Sequence, residues 1–330
     1  MKLSLTLAAL AATTLGGAMA APARATDPAV ESQVEIPGGP GPLKGAMLVP
    51  AGVRGGPVVV ILAGSGPTDR DGNNPLGVKG STYRLLAEGL AREGVASIRV
   101  DKRGMFASKS AAADPNAVTV DVLAADALAW AAKARAETGA PCAWLAGHSE
   151  GALVALIAGQ KPDGVCGLIL LSGAGRPIGT VLREQLNANP ANAPLLPQAM
   201  AAIDTLEAGG EVDVSGMHPA LMPLFHPGVQ GFLRAEMAYD PAALIAAYKG
   251  PVLIVQGTTD IQVSVKDANL LKAARPDASL VLLDGANHLF KTAPADRAGN
   301  LATYGDPSLP LAPGAVDAVA GFIKDHMGTN

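Results

Sequence analysis

The chain has 330 residues, of which 49% are hydrophobic and 16% charged, with a formal net charge of -4 and a pI near 5.7. That length and apolar content supply one large core, and Gly and Pro are scattered between apolar runs, which excludes a disordered or low-complexity chain. No basic stripe is present to neutralise phosphates, so nucleic acid is excluded as a partner, and no H-E-x-x-H or Cys pair at zinc spacing calls for a metal.

Residues 1–25 read as a secretory signal peptide. Lys2 gives a short positive start, an apolar stretch of small residues follows, and Ala18-Met19-Ala20 or Ala23-Arg24-Ala25 offers a cleavage site. Ser4, Thr6, Thr13 and Thr14 break the stretch below the roughly 20 apolar residues of a membrane span. The mature chain is therefore expected to be exported, to periplasm or medium, without a membrane span. Export makes the two cysteines, Cys142 and Cys166, candidates for a disulfide, with two buried thiols as the alternative.

From residue 26 onward a single domain is expected. Residues 30–36 and 43–49 flank a Gly/Pro-rich turn and predict a β-hairpin. Residues 57–62 form a continuous apolar run, the pattern of a strand buried on both faces. Apolar Tyr83, Leu86, Ala87 and Leu90 then predict a helix ended by Gly94, followed by a strand at 95–100. A helix carrying Val120, Leu123, Ala127 and Trp130, a strand at 142–146, a helix at 149–160 and a strand at 165–171 continue the alternation. Strands at 251–256 and 279–283 follow, with a helix between them that Ser264 and Asp267 would start as a capping box; Val316, Val319, Ala320 and Ile323 mark a last helix. Such alternation predicts a mostly parallel sheet with helices on both faces. Residues 176–239 break the rhythm with proline-separated helical stretches and read as an inserted helical cap, in which Met222, Phe225 and Phe232 are candidates for lining an acyl pocket.

Chemistry enters at Gly147-His148-Ser149-Glu150-Gly151, a G-x-S-x-G between a strand and a helix. A serine there sits on a tight strand-to-helix turn, and the flanking glycines remove bulk that would clash. A serine hydroxyl is a weak nucleophile until a base takes its proton. Of five histidines, His148 is adjacent in sequence and is expected to point away, His218 and His226 lie in the cap, and His326 in the last helix. His288 follows the last strand, at the sheet end where Ser149 lies, and is the expected base. Asp260, in the loop after the 251–256 strand, is the expected acceptor for its ring, with Asp284 as rival; this gives the order Ser, Asp, His. The expected oxyanion donors are the backbone amides of Glu150 and of Ser65 in Ala63-Gly64-Ser65-Gly66-Pro67.

Together with residues 64–73 (Gly-Ser-Gly-Pro-Thr-Asp-Arg-Asp-Gly-Asn), the GHSEG turn and Gln256-Gly257-Thr258-Thr259-Asp260, the sequence resembles the α/β-hydrolase superfamily. The likeness is to a bacterial carboxylesterase branch, serine-aminopeptidase-like or dienelactone-hydrolase-like. It implies an eight-stranded sheet, the triad Ser149, Asp260, His288, a small-molecule ester substrate and no cofactor. Ala63-Gly64 stands where that family usually has His-Gly, and Asp101-Lys102-Arg103-Gly104 looks like its D-x-R-G turn, whose Asp and Arg are expected to be structural. Amide cleavage, acyl transfer, or a binding module that keeps the fold without activity are the alternatives the same residues leave open.

Overall fold

The protein is described by a computed structural model over residues 29–327; the segment read as a signal peptide lies outside the described residues. Strands β1 (Val30–Pro37) and β2 (Pro42–Val49) form an antiparallel hairpin, with Gly39 at φ 92 in its turn, a conformation that costs glycine nothing. The sheet continues through β3 (Val58–Leu62), β4 (Ala96–Val100), β5 (Ala143–His148), β6 (Val165–Leu171), β7 (Val252–Gly257) and β8 (Ser279–Leu283), in the order β1-β2-β4-β3-β5-β6-β7-β8. β2 pairs antiparallel with β4, and every pairing from β4 to β8 is parallel. All residues of β3, β4, β5 and β7 are buried, which is why β3 and the first four residues of β5 and of β7 read as unbroken apolar runs, whereas β4 carries the buried polar Ser97 and Arg99.

The helices are α1 (Thr82–Arg92), α2 (Val120–Thr138), α3 (Glu150–Gly159), α4 (Ile178–Asn187), α5 (Leu196–Glu207), α6 (Met222–Phe225), α7 (Pro227–Met237), α8 (Pro241–Ala247), α9 (Val265–Ala274), α10 (Arg297–Ala302) and α11 (Ala315–Asp325). Alternate residues of β3 show how they are shared between the faces. Val58, Val60 and Leu62 enter a core with α2, α3, α8 and α9, whereas Val59 and Ile61 enter one with α1 and α11. α3 is buried almost throughout, as befits a helix seated centrally on the sheet.

Helices α4 to α7 form a separate layer between β6 and α8. They have a core of their own, built on Ile203, Leu206, Leu221, Phe225 and Leu233. Prolines 197, 223, 227 and 241 sit at the first or second positions of α5 to α8, where a missing N–H costs nothing, so they start helices rather than break them. The expected capping box at α9 does not form. The Ser264 hydroxyl donates to the Asp267 carboxylate instead of accepting a backbone bond, because Asp267 is turned toward Arg176, which binds it through Nε (2.8 Å) and Nη2 (2.7 Å). That pair ties the start of the cap to the sheet layer.

Cys142 and Cys166 are joined by a disulfide, with Cα atoms 5.1 Å apart, at the amino ends of β5 and β6. The residues expected to act on substrate all follow carboxyl ends of strands, at the other pole of the sheet.

Candidate active site

Ser149 lies between β5 and α3 with φ 54 and ψ -117, a strained conformation for any residue but glycine. Steric contacts explain the two glycines around it. A Cβ at Gly147 would come within 1.9 Å of the Gly151 carbonyl oxygen, and one at Gly151 within 2.5 Å of the Leu62 oxygen and 2.8 Å of that of Ala63. Gly147 therefore lets the first turn of α3 fold back on the end of β5, and Gly151 lets α3 approach β3. Although Ser149 is the N-cap residue of α3, its side chain makes no capping bond, and it stands on the wall of a cavity.

His288, in the loop after β8, is hydrogen-bonded through Nδ1 to Asp260 Oδ2 at 2.8 Å, and both side chains are buried. Asp260 follows β7 and also accepts from Gln256 Nε2 (3.0 Å) and from the backbone N–H groups of Gln262 (2.8 Å) and Val263 (3.0 Å). Burial pushes the Asp260 carboxyl up, but the His288 imidazole and the two backbone donors outweigh it and hold the group below the usual carboxylate range. An ionised acceptor at Nδ1 keeps the proton there and leaves Nε2 as the basic nitrogen. Asp284 is exposed and accepts from the Thr258 hydroxyl, so it takes no part.

The loop carrying His288 is fixed by Asn287, fully buried. Its Oδ1 accepts from the N–H groups of Leu289 and Lys291, both at 3.0 Å, and its Nδ2 donates to Thr303 Oγ1 at 2.7 Å.

A second set of buried bonds runs through His148, whose Nε2 lies 2.8 Å from the His288 carbonyl oxygen. A carbonyl only accepts, so Nε2 carries the proton and Nδ1 must accept; Tyr83 Oη is 2.8 Å from Nδ1 and supplies that proton. Tyr83 Oη in turn accepts from the Gly64 N–H at 2.9 Å. The chain Gly64, Tyr83, His148, His288 therefore links the loop after β3 to the loop of His288 with one consistent direction of donation. Burial, with the nearby His288, depresses His148 from its ordinary 6.5 to about 3, so it stays neutral in this role.

Lys102 fixes the other end of the Gly64 residue: its Nζ donates to the Gly64 carbonyl oxygen at 2.7 Å and to Glu150 Oε1 at 3.1 Å. The Gly64 carbonyl and the Ser65 N–H belong to one trans peptide and point in opposite directions. The lysine that holds the former thus orients the latter. Among the described residues, neither the Ser65 nor the Glu150 backbone N–H donates to another protein group.

Ser65, Ser149 and Glu150 open on a cavity of about 640 Å³ roofed by the cap. Phe232 lines it together with Leu224, Val229 and Leu233. Two expected lining residues do not. Phe225 is wholly buried in the cap's own core, because the single turn of α6 directs Pro223 and Leu224 to the cavity and Phe225 away from it; Met222, at the start of that turn, also lies off the wall. His218 and His226 accept backbone N–H groups of Ala220 and Gly228 at helix starts. Asp101 and Arg103 of the D-x-R-G turn are structural: Asp101 binds Arg70, and Arg103 binds Asp126.

Sequence reasoning missed Tyr83, Lys102 and Glu236. Glu236 carried a readable signal, since it is the one acidic residue in the apolar stretch 222–237 and lies four residues after Phe232, on the same helix face.

Sheet order, strained serine turn and cap-roofed cavity define the class at the level of fold: the chain has the α/β-hydrolase fold. The family model described as serine aminopeptidase, S33, matches residues 76–208. Esterase EstD of Thermotoga maritima is 28% identical over 257 residues, covering 75% of this chain and 58% of its own length, so the chain spans somewhat over half of that curated relative. Among solved structures, Est1E of Butyrivibrio proteoclasticus with bound ferulic acid aligns over 87% of this chain and 94% of its own, at 18% identity and a TM-score of 0.53. A puromycin-hydrolyzing peptidase of Mycobacterium tuberculosis aligns over 91% of this chain and 40% of its own, at 18% identity and a TM-score of 0.57.

Proposed function

We propose that the chain is a serine hydrolase cleaving carboxylic esters of small molecules through an acyl-enzyme. Ser149 Oγ attacks the ester carbonyl carbon while His288 Nε2 takes its proton, and Asp260 steadies the imidazolium. The backbone N–H groups of Ser65 and Glu150 receive the oxyanion. Collapse of the tetrahedral intermediate expels the alcohol, which takes the proton from His288; water then repeats the sequence and frees the acid. The observation that carries this reading is the buried Asp260–His288 pair, 2.8 Å apart, in loops at the sheet end where Ser149 holds a strained, uncapped conformation. Such strain persists only where the surroundings over-determine it, and active sites are among the places where it collects.

Ser149→Ala is expected to lower ester turnover by at least about 10³-fold and to abolish fluorophosphonate labelling. Turnover that survives in the folded variant, or a label on another residue, would overturn the assignment.

A second reading, cleavage of aminoacyl amides, draws on the description of the matching family model. The ester reading is favoured by a relative named as an esterase that covers three quarters of this chain. Rates on matched esters and amides separate the two.

We also propose export. The disulfide supports it, since such bonds persist in oxidising compartments. Protein recovered from the periplasm or medium is expected to show no reactive thiol after unfolding without reductant; two reactive thiols, or protein confined to the cytosol, would contradict export.

A further inference from the structure

Among the described residues, Glu236 is the buried polar side chain lining the cavity that the proposed chemistry leaves without a task. It projects from α7 of the cap, is 4% exposed, and lines the same cavity as Ser149, Glu150 and Lys102. Its carboxyl makes no hydrogen bond with any described residue, although its oxygens are not sealed from the cavity, unlike the wholly enclosed orphan atoms elsewhere in the protein. Lys102 does not neutralise it, because that ammonium is already engaged by Glu150 and the Gly64 carbonyl. A buried carboxyl without a partner costs folding free energy, and the fold retains it facing the space a substrate would fill.

The neighbours decide which substrate group fits. Burial first, and the charge of Glu150 second, raise Glu236 well above the ordinary carboxyl range, with Lys102 opposing, so the group is held toward its neutral form. An anionic ligand group would face Glu150, and an ammonium would face Lys102 and would have to strip the proton from Glu236. A hydroxyl meets neither obstacle: a neutral carboxyl donates to it through O–H and accepts from it through C=O.

We propose that Glu236 is a specificity-determining residue that hydrogen-bonds an uncharged hydroxyl on the substrate close to the scissile carbonyl, selecting hydroxy esters over their plain counterparts. The apolar wall of Leu224, Val229, Phe232 and Leu233 takes the hydrocarbon part of the same substrate. This rests on the ester-hydrolase reading above and deepens it. One substrate hydrogen bond to a buried partner is worth about tenfold in discrimination.

The test uses ethyl 3-hydroxybutanoate, ethyl butanoate and ethyl 3-aminobutanoate. The wild-type protein is expected to prefer the hydroxy ester about tenfold in kcat/KM over the plain one, and to disfavour the amino ester at neutral pH. Glu236→Leu, which removes both donor and acceptor, is expected to bring the ratio of hydroxy to plain ester close to one. Glu236→Gln keeps a donor and an acceptor, and is expected to retain most of the preference, which separates lost recognition from damaged folding. The same three esters are titrated calorimetrically into Ser149→Ala and Ser149→Ala/Glu236→Leu, where no turnover is needed. A binding preference for the hydroxy ester that vanishes with Glu236 supports the proposal even if hydrolysis of esters is absent, an outcome that would sink only the catalytic reading. A preference unchanged in Glu236→Leu, absent from the wild-type protein, or strongest for the amino ester overturns the proposal.

Discussion

Tyr83 spends one hydroxyl on two partners that belong to different loops. It takes the Gly64 N–H and gives its proton to His148, which passes its own to the carbonyl of His288. Tyr83→Phe leaves two buried groups unpaired, at a cost of about 1–3 kcal/mol each, and releases the loop that aims the Ser65 amide. The expected result is a kcat lowered about 10- to 100-fold, the scale of an ångström of misplacement, with KM nearly unchanged because the cavity walls stay intact. Steady-state kinetics beside a thermal melt check this; an unchanged kcat in a destabilised protein would reduce Tyr83 to a packing residue. At this scale the sequence was readable where the chemistry is local. Ser149 announces itself through two glycines whose necessity is steric, and Asp260 and His288 through their places just after strands. Adjacency to Ser149 says only that the His148 side chain leaves on another side; that its ring lies 4.7 Å from that of His288 depends on how the loop after β8 folds. Lys102 and Tyr83 act on Gly64 from 38 and 19 residues away in sequence, and no spacing rule encodes that.

Among the elements, strands were the easiest to anticipate, since burial on both faces leaves an unbroken apolar signature in β3, β5 and β7. Their extent was less legible: β5 runs on through His148, where glycine and histidine weaken the apolar pattern while the ladder to β6 continues. In the cap, the prolines delimit the helices as their spacing in the sequence suggests, but from inside the first turn. The side of α6 that meets the cavity could not be inferred from four residues with three apolar side chains. Ser264 and Asp267 had the spacing of a capping box; a distant arginine, Arg176, claimed the carboxylate instead. Local patterns of this kind fail where a tertiary partner offers a stronger bond than the helix end does.

Across the whole molecule, buried titratable groups set how stability responds to acid. His148 titrates near 6.5 when unfolded and near 3 in the fold, so between these values the unfolded chain binds more protons. Its contribution is complete above pH 6.5 and is lost as pH falls toward 3, at up to about 1.4 kcal/mol per unit. Asp260, held below its ordinary value, acts in the same direction at the acid end. Glu236 has the opposite sign: raised in the fold, its stabilisation is complete below about 4.5 and fades as pH rises through its folded value. Urea midpoints are therefore expected to fall between pH 6.5 and 4, with a visibly shallower slope in His148→Gln; equal slopes would show that the imidazole does not govern acid sensitivity.

The layer formed by α4 to α7 closes on its own set of apolar side chains, and it meets the sheet domain through the Arg176–Asp267 pair and through Phe232 and Ala235 of α7, which pack on the main core. Substitutions in the cap are expected to reshape what enters the cavity while Ser149, Asp260 and His288, which follow strands beneath it, keep their own bonds. What the cavity admits and what the proposed triad does are thus assigned to different parts of one polypeptide.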